Sequence, residues 1–185
     1  MNVVETERLA LRRFSPEDAG FVVDLLNDPS FLRYIGDRGV RTGEDAEAYL
    51  RKGPLASYGA HGFGLWCVVR KEDGASIGMC GLLKRDALPD PDVGFAFLPA
   101  FRGKGYALEA AAAAVEQGEA AFGLERILAI THPGNHASIR LLEKLGFVFR
   151  EVTRLTPDAD EVRLFARDLR GRFLASEAGS EGVHG

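Results

Sequence analysis

The chain has 185 residues, 46% hydrophobic and 27% charged, with a formal net charge of −4. That length suits one domain able to bury its own core. The acidic balance argues against nucleic acid or an anionic membrane as partner, since both call for a basic face.

The opening MNVVETERLALRR lacks the basic-then-apolar order of a secretory leader, and no apolar run reaches the roughly 18 residues of a membrane span. The expected location is cytoplasmic. Leu9–Arg13 reads as a first strand. Ser15-Pro16-Glu17-Asp18 reads as a helix start, with Ser as N-cap and Pro at the first helical position, and the helix is expected to reach Asn27. SFLRYIGDRGV reads as irregular, and TGED (Thr42–Asp45) starts a second helix running toward Ser57. GFGLWCVVR and ASIGMCGLLKR flank KEDG, a hairpin signal. Cys67 and Cys80 fall on these two strands and are expected to lie opposite each other as reduced, buried residues.

DALPDPD is a loop with three carboxylates, Asp86, Asp90 and Asp92. Val93–Leu98 has no polar alternation and is expected to be buried on both faces. Tyr106–Phe122 is alanine-rich and reads as a long helix. Arg126–Thr131 reads as another buried strand, and Asn135 as the N-cap of a helix that Gly146 ends. FVFREVTRL and EVRLFARDL read as two strands around TPDAD. The order is β-α-α-β-β-β-α-β-α-β-β, an α/β chain with a mixed sheet. It includes one βαβ unit at Val93–Thr131. Residues 1–170 are expected to form the domain and 171–185, rich in Gly, Ser and Glu, a flexible tail.

RGKGYA (Arg102–Ala107) joins a strand to a helix. A helix N-terminus offers unpaired N–H groups and partial positive charge, and glycine lets a ligand approach the backbone. Together they suit an anion. The P-loop spacing fails because Tyr106-Ala107, not Lys-Ser/Thr, follows Gly105. The dinucleotide fingerprint fails because Leu108 stands where Gly or Ala is required.

Downstream lies NHASIRLLEKLGF (Asn135–Phe147). With the turn, it resembles the GNAT superfamily of acyl-coenzyme-A-dependent N-acetyltransferases. The pattern Q/R-x-x-G-x-G/A is matched by Arg102, Gly105 and Ala107. The Asn-x-x-Ser/Ala helix ending in Lys-x-Gly-Phe is matched by Asn135, Ser138, Lys144, Gly146 and Phe147. ETERLALR (Glu5–Arg12) resembles the RimJ/RimL-like branch, which acetylates ribosomal-protein N-terminal alanines. The resemblance runs from about Thr6 to Leu169.

The resemblance implies a sheet splayed between Val93–Leu98 and Arg126–Thr131, with acetyl-coenzyme A in the gap. It implies that the turn amides of Gly103, Lys104, Gly105, Tyr106 and Ala107 hold the diphosphate, aided by the Arg102 and Lys104 side chains. Phe97 and Leu98 would offer backbone groups to the pantetheine arm. Asn135 is a candidate polar contact to that arm and Ser138 a candidate proton donor to the departing sulfur. Many members carry a Tyr seven residues after the Asn; Leu142 stands there here. Asp92 is the candidate general base, with His132 and His61 behind it. Phe31, Tyr34 and Trp66 are candidate linings of the acceptor pocket.

No metal site is expected, because Pro133-Gly134 breaks the helix between His132 and His136. The implied activity is acetyl transfer to a primary amine, on a protein N-terminus or a small molecule. The other reading is a non-catalytic acyl-coenzyme-A sensor. A homodimer is left open.

Overall fold

A computed structural model describes residues 2–169; the expected tail lies outside them. The strands are β1 (Asn2–Glu5), β2 (Leu9–Arg12), β3 (Leu65–Arg70), β4 (Ser76–Leu83), β5 (Asp92–Phe97), β6 (Arg126–Thr131), β7 (Val148–Thr153) and β8 (Val162–Asp168). They form one mixed sheet in the order β1-β2-β3-β4-β5-β6-β8-β7. The helices are α1 (Ala19–Leu26), α2 (Pro29–Tyr34), α3 (Gly43–Leu50), α4 (Ala56–His61), α5 (Tyr106–Phe122) and α6 (His136–Lys144).

Strand alternation splits the core in two. Trp66, Val68, Ile77, Cys80, Leu82, Val93 and Phe97 face α5 and α6, meeting Ala110, Ala111, Ala114 and Ile139. Leu65, Cys67 and Met79 face the other way, against Val22, Leu25 and Leu26 of α1 and Ala46 and Leu50 of α3. The small face of α5 permits close approach: a Cβ on Gly118 would stand 3.0 Å from the Ile127 side chain.

Several expectations are corrected. Cys67 pairs with Met79, and Cys80 with Trp66. The cysteines therefore lie on opposite sheet faces, both buried and free. A register shift between Val68 and Val69 offsets the hairpin from simple loop counting. The first helix opens as a 3-10 turn at Pro16–Asp18. SFLRYIGDRGV is not wholly irregular: Pro29 occupies the first turn of α2, and the Asp28 carboxylate caps it by accepting the Phe31 N–H at 3.2 Å. The helix from Gly43 passes Ser57 and reaches His61, absorbing Pro54 in a wider π turn at Arg51–Leu55. β1 is an additional strand, paired antiparallel to β2.

The expectation of a β5 buried on both faces is also corrected: Gly94, Phe95 and Ala96 are half-exposed. The cause is the β5–β6 junction. These parallel strands pair at Asp92 and Leu128 alone, whereas β6 and β8 pair along six residues, Arg126 to Thr131. Beyond Asp92 the two strands diverge and leave a gap.

Candidate functional site

Strand geometry decides which backbone groups line the gap. The Leu98 N–H donates to the Ile77 carbonyl at 3.0 Å, so even-numbered residues of β5 point their amides toward β4. Odd-numbered residues point toward β6, as the Pro91 carbonyl does in accepting the Leu128 N–H at 2.9 Å. Phe95 and Phe97 therefore present backbone groups to the gap, and Leu98 does not. Phe95 was missed from sequence; the period of two, counted back from Phe97, is the signal that finds it.

A cavity of about 420 Å³ occupies this gap. Its walls include Phe95, Phe97, Arg102, Gly103, Gly105, Tyr106, Ala107, Asn135 and Ser138. Most of the sequence-selected residues thus meet in one cleft, though Leu98, Lys104 and Asp92 do not line it. Phe31 and Tyr34 of α2 do, so they share the cleft with the glycine turn, while Trp66 is fully buried in the core. Arg140 and Lys144 add cations from α6. Their i,i+4 spacing on the helix that starts at Asn135 was the available signal.

The turn is shaped by two glycines with positive φ, Gly103 at +72° and Gly105 at +83°. Gly105 is the N-cap of α5, and no side chain caps this helix. Its first amides are left available. Arg102 is engaged elsewhere: Nε donates to the Phe97 carbonyl at 3.0 Å, Nη1 to Ser30 Oγ at 3.2 Å, and Nη2 to the Asp28 carboxylate. It ties the start of α2 to the end of β5, so that α2 closes one side of the cleft.

Across the cleft, Asn135 Oδ1 accepts the Ser138 N–H at 3.2 Å and caps α6. Capping holds Ser138 in the helix's first turn, where it lines the cavity. Leu142 is fully buried, so its position supplies packing and no hydroxyl. His132 Nδ1 accepts the Gly134 N–H at 2.9 Å. In the neutral ring that leaves the proton on Nε2, a donor rather than a base. His61 stacks on Phe63 with ring centroids 5.5 Å apart and does not line the cavity.

Asp92 is the first residue of β5 and only 1% exposed. Arg85 Nε donates to its carboxylate at 3.0 Å. Burial pushes this carboxyl above its ordinary range, with the Arg85 charge pulling the other way. It stands at the closed end of the gap, where β5 and β6 still pair.

A folded-state pKa raised above the unfolded value favours folding below the unfolded pKa, and that contribution is lost as pH rises through the folded one. Wild-type stability relative to Asp92→Asn is therefore expected to fall as pH is raised above about 4. Thermal melts across pH check this; a relative stability that climbs with pH would show that Arg85 outweighs burial.

Residues 8–148 match the family described as the acetyltransferase (GNAT) domain. The chain belongs to the GNAT acetyltransferase family. One relative is the uncharacterized N-acetyltransferase YnaD of Bacillus subtilis (strain 168), 34% identical over 143 residues, which are 77% of this chain and 81% of that one. Among solved structures, a GNAT-family acetyltransferase from Bacillus anthracis superposes with a TM-score of 0.73 at 26% identity, covering 89% of this chain and 97% of its own. RimL, a ribosomal L7/L12 alpha-N-protein acetyltransferase in complex with coenzyme A, superposes with a TM-score of 0.77 at 14% identity, covering 91% and 98%. That likeness is one of fold.

The splayed pair β5–β6 in this GNAT protein has its counterpart in the mixed sheet expected from the resemblance. Among the described residues, no helix is long and apolar enough to cross a membrane. No group of three or more His, Cys, Asp and Glu gathers there to hold a metal.

Proposed function

We propose that the protein transfers an acetyl group from acetyl-coenzyme A to a primary amine. The observation that carries this reading is the convergence, in one cleft, of an uncapped helix end, an open strand edge and Ser138.

The amides of Gly105, Tyr106 and Ala107 would take the diphosphate of the substrate, with Arg140 and Lys144 as nearby cations. Phe95 and Phe97 would pair with the amides of its pantetheine arm as a strand pairs with its neighbour. The Phe95 N–H faces the gap and would donate to the thioester carbonyl, stabilising the oxyanion as the amine adds. Ser138 Oγ would give its proton to sulfur as the C–S bond breaks.

The amine must arrive neutral or lose its proton in the step. Water in the open cleft is the acceptor we favour, because the carboxylate of Asp92 is enclosed with Arg85 at the far end. The acceptor class is a protein N-terminus or a small amine, entering beside Phe31 and Tyr34.

Thiol release from acetyl-coenzyme A, measured with a panel of N-terminal peptides and small amines, tests the reading. Ser138→Ala is expected to lower kcat by about 100-fold, the common scale of a positioned proton donor. KM for acetyl-coenzyme A should hold. Tight coenzyme A binding with no turnover on any amine would instead favour a sensor, the reading that Leu142 supports by lacking the usual hydroxyl.

A further inference from the structure

The stretch ETERLALR lies at the N-terminal edge of the sheet, yet it reaches the glycine turn. Thr6 and Arg8 lie in the tight connection between β1 and β2. The Thr6 N–H donates to the Leu9 carbonyl at 2.9 Å, and the Leu9 N–H donates to Thr6 Oγ1 at 3.1 Å. Lys71 Nζ donates to the Thr6 carbonyl at 2.6 Å and pairs with Glu5 at 3.1 Å. The connection is thus fixed by its own bonds and by Lys71, just past the end of β3, independently of α5.

From it, three donors converge on one carboxylate in the first turn of α5. Thr6 Oγ1 and the Arg8 N–H reach Glu109 Oε1 at 2.7 and 3.0 Å, and Arg8 Nε reaches Oε2 at 2.7 Å. Arg8 Nη1 donates to the Lys104 carbonyl at 3.0 Å. The guanidinium lies 4.4 Å from the centre of the Tyr106 ring. Arg8 therefore touches Lys104, Tyr106 and Glu109, which bracket the N-cap Gly105.

Two physical consequences follow. In a trans peptide the carbonyl and the next N–H point in opposite directions. Holding the Lys104 carbonyl toward Arg8 turns the Gly105 N–H the other way, and Gly105 lines the cavity. Second, a carboxylate in the first helical turn competes with a bound anion for the positive end of the dipole. Glu109 is held below the ordinary carboxyl range; burial opposes this, and the Arg8 and Thr6 hydrogen bonds outweigh it. It stays charged, so its charge has to be met by a cation for the helix end to serve an outside anion.

We propose that Arg8 is a positioning residue for the anion cradle, aiming the Gly105 amide and neutralising Glu109 so that the diphosphate of a coenzyme A ligand meets an unopposed helix end. This rests on the coenzyme A reading of the cleft and deepens it. It also gives ETERLALR a post: its threonine and first arginine hold the turn from about a hundred residues away in sequence.

Isothermal titration with coenzyme A on wild type, Arg8→Gln and the double variant Arg8→Gln/Glu109→Gln tests the proposal, with thermal melts run alongside. Arg8→Gln is expected to weaken binding about tenfold, the scale of one charge-assisted hydrogen bond. The double variant is expected to recover about threefold, because removing the carboxylate removes its opposition to the anion. A part that served only packing would give no such recovery. Unchanged affinity in Arg8→Gln overturns the proposal and leaves the coenzyme A reading standing, as does a loss that the second change does not relieve. Failure of wild type to bind coenzyme A overturns that reading and the proposal with it. If Arg8→Gln does not fold, Arg8→Lys carries the test. It keeps the charge but cannot hold Glu109 and the Lys104 carbonyl together, so affinity is expected to drop about threefold, and full affinity overturns the role.

Discussion

Gly105→Glu is expected to abolish measurable coenzyme A binding, a loss of at least about 100-fold. Two effects combine. The residue sits at φ +83°, where a side chain costs about 1–2 kcal/mol of backbone strain. The new carboxylate would also stand at the uncapped end of α5, where the diphosphate is proposed to sit. A Cβ there would lie 3.3 Å from Arg8 Nη2, a flexible group that can give way. Charge and strain, more than a clash, are therefore the cause.

Gly74→Glu separates the two. Gly74 has φ +71° and nothing within 4 Å of an added Cβ, and it lies in the β3–β4 hairpin. It should lose comparable stability and keep coenzyme A affinity. Retained affinity in Gly105→Glu would sink the cradle.

Gly81→Ala is expected to be the most damaging methyl addition to the fold. An added Cβ would stand 2.0 Å from the Gly64 carbonyl oxygen and 2.9 Å from the Leu65 Cα. Both are backbone atoms, so no rotamer relieves the contact. The Leu82 N–H also donates to that same Gly64 carbonyl, at 3.2 Å. β3 and β4 would have to separate in the middle of the sheet, between two cores. The cost is on the order of 3 kcal/mol, which lowers Tm by about 6–12 °C in a chain of this size. A melt within about 2 °C of wild type would mean that the β3–β4 pairing adapts more readily than a central strand pair should.

The elements with strong local punctuation were legible. Gly105 and Gly123 bracket α5, both at positive φ, and Asn135 and Gly146 bracket α6. α2 was not, because its six residues, Pro29–Tyr34, are too few to show a period, and only the cap Asp28 followed by Pro29 marks its start. β1 covers only Asn2–Glu5, too short for alternation to stand out. The cysteine pairing failed because a bulge has no mark in composition.

The candidate site divides in the same way. Gly105, Ala107, Asn135 and Ser138 carry a spacing that can be read. Phe95 depends on which side of β5 is left unpaired, which is a property of the sheet. Arg102 was expected at the phosphates, but its contacts to Asp28 and Ser30 span more than seventy residues and leave no periodic trace. The Arg8–Glu109 contact is invisible for the same reason, at a separation of 101 residues.

The divergence of β5 from β6 separates two kinds of cohesion that normally travel together. The apolar core runs without a break beneath the divide, from Ile77 and Val93 to Ile127, Ala129 and Phe165. The hydrogen-bonded ladder does not, since one residue pair joins β1–β5 to β6–β8. The two blocks are fused through their oil and nearly severed through their amides. A ligand carrying amides along its length would act as a removable strand. Amide hydrogen exchange in β5 and β6 should then slow on binding by more than the contact area alone would give, because such a ligand lends the sheet the cooperativity that its own sequence withholds.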